Sequence, residues 1–176
     1  MRITKLKPFP ITNKYPLTLE QNVRLLILDL DRTLWSHPDI STTSPPYRRV
    51  SDEELVDSNG EVIKLNPCAR KLLEDARVKG VLLAVASWNY PEKGMSALEA
   101  FGLSDYFKVI VIEPHPFKDK MIRKILGVLN VKPEEAVFVD DNPAICERVS
   151  KAFPSLKVLN LGRDLMSLCE LFDMLG

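Results

Sequence analysis

Asp29 and Asp31 stand one residue apart at the end of the aliphatic run Leu25-Leu26-Ile27-Leu28. Such a run reads as a buried strand of a parallel sheet, and parallel sheets place their chemistry where strands end. Two carboxylates at that edge repel each other unless a cation or a proton holds them. The simplest use of the pair divides the work: one carboxylate as nucleophile with a magnesium ion bound to it, and its neighbour as acid and base. The competing reading is a strand that ends in a solvated acidic turn, because short motifs recur by chance.

The elements that must position this pair follow from the hydrophobic pattern. Residues 1–21, with Pro8, Pro10 and Pro16, read as a surface arm. A first strand is expected from about Val23 to Leu30. The polar, proline-broken stretch after Trp35 leads to two alternating runs around Ser58-Asn59-Gly60, a hairpin signal. The region 36–66 is therefore expected to form a small β flap. Asn66-Pro67 reads as a cap and first-turn proline for a helix over Ala69–Lys79, closed by Gly80. Strands are then expected over Val81–Ala86, Phe107–Ile112, Ala136–Val139 and Leu156–Leu159. Between and after them, helices are expected from Pro91 to Gly102, over Lys118–Leu129, Pro143–Ala152 and Asp164–Leu175. This alternation predicts an α/β fold, a Rossmann-like doubly wound parallel sheet covered on both faces. A single domain is expected over 22–176, with the flap and no large cap domain.

Composition narrows the partners. The 176 residues carry 24 basic and 24 acidic side chains, so no global field favours nucleic acid or an anionic membrane. The chain shows neither a long apolar span nor a charged-then-apolar leader, which makes a cytoplasmic location the expectation. Cys68, Cys146 and Cys169 are odd in number and widely spaced, and read as reduced thiols rather than a disulfide frame or zinc site.

Every candidate polar group falls near the end of an expected strand: Asp29 and Asp31, Ser87, Lys118 after the Pro114–Pro116 loop, and Asp140-Asp141. A right-handed parallel sheet brings such positions to one edge. In this order the residues resemble the four motifs of the haloacid dehalogenase superfamily of phosphohydrolases, and most closely its magnesium-dependent phosphatase family. The resemblance extends through Asp29-Leu30-Asp31-Arg32-Thr33-Leu34-Trp35 and the flap from Val56 to Pro67, covering about 22–172. It implies that Asp29 attacks phosphorus and Asp31 transfers protons. It further implies that Ser87 binds a phosphoryl oxygen and Lys118 neutralises charge at the nucleophile. Mg²⁺ would be held by Asp29, the backbone carbonyl of Asp31 and the Asp140–Asp141 pair. Leu30 and Arg32, flanking Asp31, are expected to contact substrate with Ser87, Trp88 and Asn89. Thr33 is expected to buttress the loop through its backbone.

Alternatives accompany these roles. Asp140 and Asp141 could be a helix-capping acidic turn before Asn142-Pro143. Lys120 competes with Lys118. Trp35 reads as a packing anchor, His37 as a loop residue, and His115 as a weaker substrate contact. Ser87-Trp88-Asn89 replaces the Ser-Arg-Thr frequent in relatives, and Arg32 stands where a small or aromatic residue is commoner. Trp88 either meets the leaving group or packs beneath the flap. The resemblance implies a Mg²⁺-dependent phosphomonoesterase acting on sugar phosphates, related small metabolites or protein phosphotyrosine. A phosphoryl or glyceryl transferase and a non-catalytic binding module are the alternatives. Oligomeric state has no signature in the chain.

Overall fold

Leu25 and Ile27 point to one side of the strand they form, Leu26 and Leu28 to the other, and all four are buried. A strand with both faces apolar can only sit inside a sheet covered on both sides. The structure, a computed structural model, describes residues 22–176; the expected arm over 1–21 lies outside the described residues. The strand is β1 (Leu25–Leu28). Two further strands flank it, β5 (Leu82–Trp88) on one side and β7 (Ala136–Asp140) on the other. With β6 (Val109–Glu113) and β8 (Lys157–Asn160) they form a parallel sheet in the order β6-β5-β1-β7-β8.

The helices cover its two faces. Leu26 and Leu28 share a core with Leu72 and Leu73 of α1 (Ala69–Val78) and with Ala97 and Leu98 of α2 (Pro91–Ala100). Leu25 and Ile27 share the opposite core with Met121 and Ile122 of α3 (Lys118–Leu129) and Ile145 and Val149 of α4 (Pro143–Ala152). The chain runs outward from β1 to β6, then returns through α3 to β7 on the other side of β1. That reversal opens a crevice at the carboxyl ends of β1 and β7, where ligands of open α/β sheets bind. The doubly wound α/β expectation is met.

The flap is a separate antiparallel sheet of β2 (Arg48–Arg49), β3 (Glu54–Val56) and β4 (Val62–Lys64). Its hairpin loop is organised by Asp57, whose Oδ1 accepts from the Asn59 and Glu61 N–H groups. Gly60 takes the left-handed φ of +86° that this loop needs.

Three local expectations are corrected. Asn66-Pro67 does not cap α1: the cap position is Cys68, in the left-handed region at φ 67°. The Asn66 amide instead donates to the carbonyl of Thr33, tying down the loop after β1. The last helix is shorter and of 3-10 type, Leu168–Leu175 rather than Asp164–Leu175, because Leu161 and Leu165 pair as an isolated bridge before it. The expectation of reduced thiols fails for two cysteines. The 3-10 helix packs on α1 and joins Cys169 to Cys68 in a disulfide, with Cα atoms 5.2 Å apart across 101 positions of sequence. Cys146 alone is free among the described residues.

Closing so long a loop removes conformational freedom from the unfolded chain. Cys169→Ser should therefore lower the free energy of unfolding in urea by about 2–4 kcal/mol. Equal midpoints for oxidised wild type and the variant would show that the crosslink contributes nothing.

Candidate active site

The register of the sheet fixes the site before any side chain is considered. Leu28 lies opposite Val139 on β7 and opposite Val85 on β5. The next residue, Asp29, donates its N–H to the Val139 carbonyl, so its side chain emerges beside Asp140. Lys118 enters from the start of α3 and is almost wholly buried. Its Nζ donates to Asp29 Oδ1 at 2.8 Å, to Asp140 Oδ2 at 2.8 Å and to the Ala86 carbonyl at 2.7 Å. All three ammonium protons are thus placed. Lys120 lies apart from these carboxylates, its ammonium 4.7 Å from the Phe117 ring centre.

Asp141 completes a cluster in which carboxylate oxygens of Asp29, Asp140 and Asp141 lie within 4.8 Å of one another. Burial pushes the Asp29 carboxyl well above the usual range; Lys118 offsets part of this, while Asp140 and Asp141 add to it. Burial and then the charge of Asp140 raise Asp141 as well. The Lys118 ammonium is disfavoured by burial, yet Asp29 and Asp140 outweigh that and push its pKa up. One lysine therefore faces more negative charge than it can balance. An all-oxygen, carboxylate-rich donor set of this kind fits a hard divalent cation.

Asp140 takes part in holding this turn, since its Oδ1 accepts from the Asn142 N–H at 2.9 Å, but the helix cap itself is another residue. Asn142, not Asp140 or Asp141, caps α4 by accepting from the Ala144 and Ile145 N–H groups. The buried amide of Asn160, at the end of β8, donates to the Asp141 carbonyl at 3.0 Å and the Asp140 carbonyl at 3.3 Å. Neither acid caps α4, although Asp140 shares in the acidic turn that leads into it. Nothing in the sequence marks Asn160, since a lone asparagine at the end of a strand carries no distinguishing signal.

Asp31 sits in the turn beyond β1 and is gripped by three donors. Trp35 Nε1 at 2.8 Å and the Ile40 N–H at 3.1 Å reach Oδ1, and Asn89 Nδ2 at 2.7 Å reaches Oδ2. Burial raises the Asp31 pKa, and these hydrogen bonds moderate the rise. Trp35 is the expected packing anchor, stacked on Phe101, but its indole N–H also serves the site. Thr33 buttresses the turn differently from expectation: its hydroxyl donates to Asp29 Oδ2, at 3.4 Å. His37 is more than a loop residue, since its buried ring accepts from the Asp39 N–H and leaves Nε2 to bond Glu61 of the flap.

A cavity of about 450 Å³ opens over this cluster. Asp29, Asp31, Lys118, Asp140 and Asp141 line it, and so do Arg32, Trp88 and Asn89. Arg32 takes a left-handed φ of 60° and is exposed. Trp88 does not pack beneath the flap; it is 50% exposed on the cavity wall, beside Tyr90 at 59%. Leu30 stands apart: its side chain is fully buried in the core and its carbonyl accepts from the Thr33, Leu34 and Trp35 N–H groups. Ser87 lies within β5 rather than after it, and its hydroxyl is buried without a hydrogen-bond partner among the described residues. A buried hydroxyl left unpaired is costly, and a water or a ligand would complete it. His115 bonds Glu113 instead of entering the cavity wall.

Comparison with known proteins bears on the family and the fold. The sequence model of the acid phosphatase family matches residues 21–156. Magnesium-dependent phosphatase 1 of Homo sapiens is 27% identical over 148 residues, 84% of each chain. The phosphatase-containing N-terminal part of a Bacteroides fragilis protein, crystallised with Mg, superposes at a TM-score of 0.62 with 24% identity. The alignment covers 89% of this chain and 40% of that one. A haloacid dehalogenase superfamily hydrolase of Geobacter sulfurreducens superposes at 0.66 with 15% identity, covering 89% and 98%. At these identities the two solved structures establish likeness of fold.

Removing the cation between Asp29 and Asp140 leaves buried carboxylates uncompensated. Lys118→Met should therefore destabilise the metal-free protein by about 3–5 kcal/mol. Urea unfolding in the presence of a chelator measures this, and unchanged stability would contradict the charge argument.

Proposed function

The chain belongs to the acid phosphatase family and is a phosphatase, and from that premise we propose that it hydrolyses phosphate monoesters in two displacements through Asp29, with magnesium as its resident cation. The observation that carries this reading is the excess charge at the crevice: three converging carboxylates against one buried lysine. A divalent cation corrects that excess, and few protein oxygens suit magnesium, which retains several waters in an octahedral shell. Asp29, Asp140 and Asp141 would hold it with the Asp31 backbone carbonyl. When bound, it would screen the phosphate charge from Asp29 and polarise a phosphoryl oxygen.

The chain's own residues supply the rest. An Asp29 carboxylate oxygen bonds to phosphorus as the bond to the leaving oxygen breaks, and the Asp31 proton passes to that oxygen, releasing the alcohol. Water then attacks phosphorus and gives a proton back to Asp31. The bond from phosphorus to Asp29 breaks, freeing phosphate and restoring the carboxylate. Lys118 keeps Asp29 oriented throughout, through a hydrogen bond already 2.8 Å long. The Ser87 hydroxyl, buried at the carboxyl end of β5 and unpaired among the described residues, would donate to a phosphoryl oxygen that reached it.

The substrate we assign is a small phosphate monoester, such as a sugar phosphate, or an exposed phosphotyrosine. The half-exposed faces of Trp88 and Tyr90 and the small flap favour a planar or partly apolar leaving group over one with a second negative charge. Arginine at position 88 would pair with an anion bidentately, and an indole cannot.

Hydrolysis of para-nitrophenyl phosphate tests the reading. Asp29→Asn should lower kcat by more than about a thousandfold. Stripping metal from wild type should also stop turnover, with magnesium restoring it and calcium doing so poorly. Normal turnover by clean Asp29→Asn protein would refute the covalent route. For the leaving-group site, Trp88→Ala should raise KM for aryl phosphates about five- to tenfold, the worth of one aromatic contact. An unchanged ranking of aryl, sugar and doubly anionic phosphates in Trp88→Ala and Trp88→Arg would show that Trp88 plays no part in selection.

A further inference from the structure

Asp31 is held with unusual completeness for a group that must give up and recover a proton. A carboxylate offers about four acceptor sites, two on each oxygen. Trp35 Nε1 and the Ile40 N–H occupy both sites of Oδ1, and Asn89 Nδ2 occupies one site of Oδ2. A single site remains, on Oδ2. The donors are themselves fixed. The Asn89 Oδ1 accepts from the Tyr90 N–H at 2.7 Å, so the amide presents its nitrogen to Asp31. The Asn89 N–H donates to the Glu113 carbonyl at 3.0 Å. Trp35 is fully buried and stacked on Phe101, with ring centres 6.2 Å apart.

We propose that Trp35 and Asn89 are positioning residues that leave Asp31 one proton site, on Oδ2, and aim it at the leaving oxygen. Trp35 is not among the residues lining the cavity, so its influence on the reaction passes through Asp31. The inference rests on the reading of Asp31 as general acid. It adds that the direction of proton delivery is set by the indole of the residue four positions on and by the amide two positions after Ser87. That gives Asn89 a role other than substrate contact.

Leaving groups of different basicity separate positioning from structure. Para-nitrophenolate departs without needing a proton, whereas ethoxide needs one. The parameter to measure is kcat/KM, which reports steps through transfer to Asp29 and omits the later attack of water. It is determined on para-nitrophenyl phosphate and ethyl phosphate for Trp35→Phe, Asn89→Ala, Asp31→Asn and the Trp35→Phe/Asp31→Asn double variant. Urea unfolding confirms that each is folded. On ethyl phosphate the Trp35 and Asn89 variants should lose about 10- to 100-fold, part of the worth of a general acid. On para-nitrophenyl phosphate they should lose far less. The double variant should fall no lower than Asp31→Asn alone, because residues acting through one group are not additive. Equal losses on both substrates, or a further loss in the double variant, would overturn the proposal. If Trp35→Phe does not fold, Asn89→Ala carries the test alone. If Asp31→Asn itself shows no leaving-group dependence, the general-acid reading falls and this inference with it. That outcome differs from one in which Asp31→Asn behaves as expected and the Trp35 and Asn89 variants do not.

Discussion

The buried ammonium of Lys118, set between Asp29 and Asp140, is the constraint on which the rest of the site depends. Carboxylates at the ends of two adjacent parallel strands repel one another at this distance unless a cation or a proton lies between them. The sheet order supplies the strands, because the chain reverses direction at β1 and lays β7 beside it. The start of α3 supplies the lysine, and the Ala86 carbonyl of β5 takes its third proton. The ammonium balances only part of the charge. What remains, spread over Asp29, Asp140 and Asp141, fits the binding of a further cation.

The flap and the turn after β1 form one connected unit above this charge cluster. Glu61 of the hairpin loop bonds His37, His37 accepts from the Asp39 N–H, and the Asp39 side chain accepts from the Ser41 N–H. Lys93 of α2 donates to the carbonyls of Ser41 and Thr43 in the same segment. These bonds fix the Ile40 N–H that reaches Asp31. The arrangement leaves Trp88 and Tyr90 half-exposed at the cavity wall, so the entrance stays open to groups of varied shape.

Much of this was legible in the chain, for physical reasons. The bounds of α3 and α4 follow from an apolar face and a marked start, and the structure reproduces Lys118–Leu129 and Pro143–Ala152. Strand ends were less sharp, since β1 stops at Leu28 where the apolar run alone suggested Leu30. Asp29, Lys118 and Asp140-Asp141 could be placed together because each ends or follows a strand of one sheet. What could not be read were contacts set by packing between distant segments. The Cys68–Cys169 disulfide needs the final 3-10 helix to return to α1, which no spacing announces. Asn160 beneath the acidic turn and Asn89 against Asp31 are of the same kind. Trp35 reads as an anchor in the sequence, but its N–H partner depends on how the turn after β1 folds.

Titration of magnesium into metal-stripped protein, followed by calorimetry, tests the central charge argument most directly. The account predicts about one equivalent bound per chain, with affinity reduced at least tenfold when Asp140 or Asp141 is replaced by asparagine, as expected for lost oxygen donors. It also predicts a thermal midpoint that rises with magnesium concentration, because a ligand that binds only the folded state stabilises it. Absence of binding at millimolar magnesium, or binding undiminished in the Asp140→Asn/Asp141→Asn double variant, would contradict it.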